Sequence, residues 1–151
     1  MDNIIKVPLI VQTFINEKII CTKTPLLPCI YGDFEDMQMG YRYDPVQECS
    51  LITKKPGSWQ KSWYVIAQNA LGDPFFLDLD AEDYPVYTAM HGSGAWEPIV
   101  VAESLVQFTE ILHRINETDL TFPYNLEFLA EQVESDNEFW MEVNESCREE
   151  D

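Results

Sequence analysis

WYVIAQNALGDPFFLDLDAEDYPVYTAMHGSGAWEPIVVAESLVQFTEIL, residues 63 to 112, decides the fold. Four short runs in it, WYVIA, PFFLDL, PVYTAM and PIVVA, are rich in aromatic and β-branched residues. They are punctuated by Gly72-Asp73-Pro74, by Ala81 to Asp83 and by Gly92-Ser93-Gly94, which are turn signals between strands. Separations this short favour antiparallel neighbours. Within PFFLDL, Phe75, Leu77 and Leu79 alternate with Phe76, Asp78 and Asp80, which predicts one apolar face and one that projects carboxylates. The period then changes. Leu105, Phe108, Ile111, Leu112 and Ile115 recur at three- and four-residue spacing, the stripe of an amphipathic helix over about residues 103 to 116, lying across the sheet.

Outward from this block the signals are weaker. Residues 31 to 60 mix tyrosine, glycine, proline and charge, an ordered but irregular connection ending in the turn signal KKPGSW. Before it, IIKVPLIVQTFI and KIICTKTPLL are β-rich runs on either side of a predicted bend at Asn16-Glu17. After it, Leu126, Leu129 and Val133 mark a second helical stripe. Ser135-Asp-Asn-Glu138 then matches a capping box before a third helix that carries Phe139, Trp140 and Val143. The expectation is a single domain over residues 1 to 151: a strand-rich part at 1–39, a core at 40–116 and acidic C-terminal helices at 124–148. Strands followed by helices make the fold class α+β, a twisted, mainly antiparallel sheet packed against a few helices.

Charge narrows the function. Nine Lys and Arg against 27 Asp and Glu give a net charge of −18, which disfavours nucleic-acid phosphate and anionic lipid as partners. A basic protein is the natural complement, with a homodimer as a further option. MDNIIKVPLIVQTFINEK has no positively charged leader followed by an apolar run, and no stretch approaches the roughly 18 apolar residues of a membrane span. The expected location is the cytoplasm. Cys21, Cys29, Cys49 and Cys147 show no C-x-x-C pairing, so reduced structural thiols are expected.

Catalytic and metal motifs fail on spacing. A nucleophile elbow needs glycine two places either side of serine, and Ser93 has His91 and Ala95 there. Asp78-Leu-Asp80-Ala-Glu82-Asp83 opens like a calcium loop, but Asp83 and Ala89 stand where the glycine and the closing glutamate belong. There is no H-E-x-x-H, no P-loop and no G-x-G-x-x-G. We therefore expect no enzyme activity, no metal and no cofactor. His91, with Gly92 and Gly94, is assigned to a pinned turn, and His113 to a helix surface or its boundary. Among the four tryptophans, Trp59 in KPGSWQK and Trp96 after the glycine turn have the best claim to partial exposure and to a role as interface anchors.

GYRYDP at 40–45, WYVIAQNALGDPFFLDL at 63–79, PVYTAMHGSGAWEP at 85–98 and VAESLVQFTEIL at 101–112 together resemble the SUKH superfamily, in its Smi/Knr cell-wall-assembly-regulator branch. The resemblance covers residues 40 to 113. It implies an α+β fold with helices against a twisted sheet, and a choice of two roles. Bacterial members are viewed as immunity proteins that bind and neutralise a toxin domain, often a nuclease; the eukaryotic branch acts in cell-wall regulation and signalling. Such families usually carry, before this region, a helix around a Leu-Pro and an aromatic followed by a glycine-rich Asn-Gly stretch, which is not evident in this sequence; residues 1 to 39 read here as strands. The expected function is a non-enzymatic immunity-type protein that neutralises a basic, nuclease-like toxin domain, the alternative being a regulatory scaffold or small-ligand-binding module. Its expected contact residues are Asp73, Asp78, Asp80, Glu82, Asp83, Trp59 and Trp96.

Overall fold

The four strands of the central block pair in chain order. In the computed structural model β3 (Trp63–Gln68), β4 (Pro74–Asp78), β5 (Val86–Thr88) and β6 (Ile99–Ala102) form an antiparallel sheet of order β3-β4-β5-β6. The registers place Val65 against Phe76, Phe76 against Tyr87 and Tyr87 against Val100. Shifts in register leave Ile66 and Val101 as extra residues, so each outer strand carries a bulge. The structure describes residues 7–20, 26–30, 34–90, 95–117 and 137–148, with side chains in the last helix as far as Val143. The other described elements are α1 (Leu9–Glu17), α2 (Phe34–Met37), a two-stranded ribbon of β1 (Tyr43–Asp44) and β2 (Cys49–Ser50), α3 (Leu105–Glu117) and α4 (Glu138–Arg148). The fold is α+β.

Helix α3 buries the five residues that its period selects, Leu105, Phe108, Ile111, Leu112 and Ile115. Ser104 caps it, its Oγ accepting the Gln107 N–H at 3.1 Å. On this side of the sheet Phe75 meets Phe108 and stands edge-on to Phe139 of α4. The other side departs from the expected solvent face. Phe76 packs on Trp59, Trp63 and Tyr87, and β4 is buried from Pro74 to Leu77. A second layer, supplied by the loop around Trp59, covers what alternation alone assigns to water. Trp59 is accordingly 1% exposed, which corrects its expected place on the surface.

From Leu9 onward the N-terminal run is helix, not strand. Its β-branched content suggests a strand, but Val11, Phe14 and Ile15 are buried at three- and four-residue spacing, and Phe14 reaches Phe108 with ring centroids 5.7 Å apart. Pro8 fits the entry of α1 because its missing N–H would have no intrahelical partner there. The expected bend at Asn16-Glu17 is the last turn of the helix. The chain reverses one residue later at Lys18, in the left-handed region with φ 50°. Of the second run, residues 21–25 lie outside the described residues; Ile20 bridges Cys29, and Cys29 pairs in turn with Gln68.

Both edges of the four-stranded sheet are closed. On β3 the Gln68 N–H and C=O exchange hydrogen bonds with the Cys29 backbone. Gln38 then acts as a one-residue strand: its Nε2 donates to the Val65 carbonyl at 2.8 Å and its Oε1 accepts the Val65 N–H at 2.9 Å. At the far end Arg42 donates to the Lys61 and Trp63 carbonyls and lies 3.9 Å from the Tyr64 ring centroid; burial lowers its pKa. On β6 Asn137 donates to Val100 O and Trp140 Nε1 to Val101 O, the bulge residue. Closed edges resist chain addition. Replacing Gln38 by leucine should orphan both Val65 groups and destabilise the fold by about 2 kcal/mol, within the range for a buried unsatisfied group. Urea denaturation measures this; an unchanged midpoint would show that the edge needs no side-chain partner.

Helix α4 starts later than the capping box predicts. Asn137 is the cap, its Oδ1 accepting the Trp140 N–H at 3.1 Å, because the same side chain can also reach Val100 on the sheet. Ser135 and the stripe Leu126, Leu129 and Val133 lie outside the described residues. The expected apolar face of the helix is present, with Phe139, Trp140 and Val143 all buried.

Candidate functional site

The chain between β4 and β5 is shaped by its carboxylates. Asp78 ends β4 and turns back on itself, its Oδ1 accepting the Asp80 N–H at 2.9 Å, an Asx turn. Ala81 N–H then bonds to Asp78 O, and Tyr84 N–H to Ala81 O. Asp83 and Tyr84 are both left-handed, with φ 64° and 53°. The Asp83 carbonyl accepts the Leu105 N–H at 3.1 Å, which ties the turn to the start of α3. Asp80, Glu82 and Asp83 are thereby left exposed together.

They border an open groove of about 700 Å³ whose other walls are Ile10 of α1, Leu79, Ser104 and Val106 of α3. A second, smaller hollow of about 200 Å³ shares Ile10 and Val106 with it in its lining and adds Glu17 and Glu110. No lysine or arginine is among the described residues lining either one. His113 sits beside the far end, its Nε2 2.8 Å from Glu17 Oε2, the helix-surface position its spacing predicts.

Comparison of the chain with protein-family models, curated proteins and solved structures gives no match. The site therefore rests on its own geometry.

Three acids of the expected contact surface come together, and the rest separate. Asp80, Glu82 and Asp83 share the groove. Asp80 lies beyond the end of β4, so it does not continue the Asp78 face of the strand as alternation predicts. Asp78 is not among the described residues that line the groove; the Tyr87 phenol is pushed up by burial and further by the Asp78 charge. Asp73, at the opposite end of β4, is taken up by the preceding hairpin, where its N–H donates to Asn69 Oδ1 at 3.0 Å. Nearby Tyr41 donates to Gly72 O at 2.6 Å, its pKa raised by burial first and by Asp73 second.

Trp96 is half-buried and belongs to the Phe76 side, with its ring 5.2 Å from Trp59 and 5.9 Å from Tyr41. KKPGSW places it. Pro56 and Gly57 form a turn closed by Ser58 N–H to Lys55 O, with Gly57 at φ 83°, as a type II turn requires. The Gly57 carbonyl then accepts the Trp96 N–H at 2.7 Å. A Cβ on Gly57 would come within 2.7 Å of Ala95 Cβ, so glycine is needed for this approach. Trp96 and the acidic groove consequently lie on different layers. His91, Gly92 and Gly94 fall outside the described residues.

Sequence reading missed Ile10, Glu17, Val106 and Glu110. A signal existed for one: Val106 stands off the buried stripe of α3 and is 54% exposed. Ile10 was hidden by the strand reading of its segment. Among the described residues no His, Cys, Asp or Glu cluster of three or more could hold a metal ion, and no helix is long and apolar enough to cross a membrane.

Proposed function

We infer that this chain is a non-enzymatic, cytoplasmic binding protein of immunity type, SUKH-like, that neutralises a basic, nuclease-like toxin domain. The observation that carries the reading is the groove bordered by Asp80, Glu82 and Asp83, with no basic side chain among the described residues that line it, on a chain of net charge −18. Such a field accelerates encounter with a basic surface and discriminates against acidic ones. The resemblance over residues 40 to 113 supports it.

The test uses the domain encoded at the C-terminus of any large secreted protein whose gene adjoins this one. Mixed at equimolar ratio, this chain is expected to bind it and abolish its activity. Failure to bind, or turnover by this chain alone, would overturn the reading; a neighbourhood without a toxin domain, together with saturable binding of a small ligand, would favour the regulatory alternative. Exposed Asp80 and Glu82 provide the electrostatic arm. The double substitution Asp80→Lys, Glu82→Lys should slow association by roughly tenfold at low salt and flatten its salt dependence, since steering of this kind is worth 10-fold or more. Stopped-flow mixing across a salt series measures both quantities, with circular dichroism verifying the fold. Identical rates and slopes would move the docking face elsewhere.

A further inference from the structure

Charge explains attraction to the groove, but not its apolar walls. Ile10 and Val106 are 41% and 54% exposed. They come from two different helices and line both the groove and the smaller hollow. Exposed apolar side chains that converge on one concavity, with carboxylates on its border, suit an occupant that is itself two-sided. A second copy of this chain is a poor occupant, because it brings another −18 charges to an acidic border. The common route for an extended peptide, addition to a sheet edge, is closed on both sides by Cys29, Gln38 and Arg42 on β3 and by Asn137 and Trp140 on β6.

We propose that the groove between α1, α3 and the Leu79–Tyr84 turn docks an amphipathic basic helix. Its apolar stripe seats between Ile10 and Val106, and its lysines and arginines face Asp80, Glu82, Asp83 and Glu110. This names the part of a basic protein partner that the groove receives, and so rests on the binding-protein reading above. The arrangement divides the work: the apolar contacts hold the complex at any salt concentration, while the carboxylates speed its formation and set its polarity.

The experiment uses a fluorescein-labelled peptide of about 15 residues, long enough for four helical turns, with leucines at i, i+3, i+4 and i+7 and lysines elsewhere. Its scrambled isomer has the same charge and no stripe. Fluorescence anisotropy with the full chain at about 0.15 M salt is expected to give saturable binding of the striped peptide, at least tenfold tighter than the isomer. Ile10→Ser with Val106→Ser should weaken it roughly tenfold at every salt concentration, as the loss of apolar contact area demands. Asp80→Lys with Glu82→Lys should weaken it mainly at low salt. Both pairs are exposed, so circular dichroism should report an intact fold. Equal affinity for the two peptides, or unchanged binding by the folded Ser variant, would overturn the proposal. A toxin domain that binds the Ser variant as tightly as the wild type would remove the groove while leaving the immunity reading intact. Striped-peptide binding that depends on Ile10 and Val106, in a chain with no toxin partner, would do the reverse.

Discussion

Replacing Trp59 by alanine is expected to destabilise the protein by about 3–5 kcal/mol, the usual cost of removing a fully buried tryptophan. Four rings among the described residues meet it, with centroids at 5.7 Å for Tyr41, 5.4 Å for Trp63, 4.8 Å for Phe76 and 5.2 Å for Trp96. Its indole N–H donates to the Trp63 carbonyl at 3.0 Å. The substitution therefore opens a cavity and lets Trp96 lose its support, since Trp96 has ring contacts only with Trp59 and Tyr41 among the described residues. Urea denaturation gives the magnitude, and near-ultraviolet circular dichroism should lose part of its aromatic signal. Trp59→Phe should restore much of the loss and leave the indole hydrogen bond unmade. Full stability in Trp59→Ala, with loss of partner binding, would return Trp59 to the role of surface anchor.

The fate of Trp59 shows where local reading stops. Strands β3 to β6 and helix α3 were legible because their apolar residues repeat at two or at three to four within a few positions. The burial of Phe76 was not legible, because it depends on a loop that returns from outside the strand and lays Trp59 over it. The edge of β3 is closed by Gln38, 27 residues before its partner Val65, and no local pattern announces that a glutamine will serve as a strand. Helix α1 is a different kind of miss. Val11, Phe14 and Ile15 carry the helical spacing, but two β-branched residues among the three weigh toward strand when composition is read before period. Position in space also divided the acidic residues. Asp73, Asp78 and Asp80 are close in sequence, but the first sits in the Asn69 hairpin, the second ends β4, and only the third is among the described residues that line the groove. The groove itself joins Ile10 to Val106, and so could appear only once α1 was a helix beside α3.

Helix α4 carries the other large expected effect. Deleting residues 135 to 151 should lower the unfolding free energy by at least the 3–5 kcal/mol of a lost buried tryptophan, since Phe139 and Val143 leave with Trp140. The deletion also uncovers Val100 O, Val101 O and the edge of Phe75. Trp140→Phe separates the contributions. It keeps most of the apolar body but removes the 2.8 Å hydrogen bond to the bulged Val101 carbonyl, at a cost of about 1–3 kcal/mol if no water replaces the donor. Thermal unfolding should rank wild type above Trp140→Phe, and Trp140→Phe above the deletion, with the midpoint falling roughly 2–4 °C per kcal/mol for a chain of this size. The groove should be untouched in the point variant, because Ile10, Val106 and the Leu79–Tyr84 turn make no contact with Trp140 among the ring and hydrogen-bond partners described. Binding of a basic partner by folded Trp140→Phe is therefore expected at wild-type affinity. A deletion variant as stable as the wild type would mean that the acidic C-terminal helix is no part of the folding unit, and the closure of β6 would then need another source.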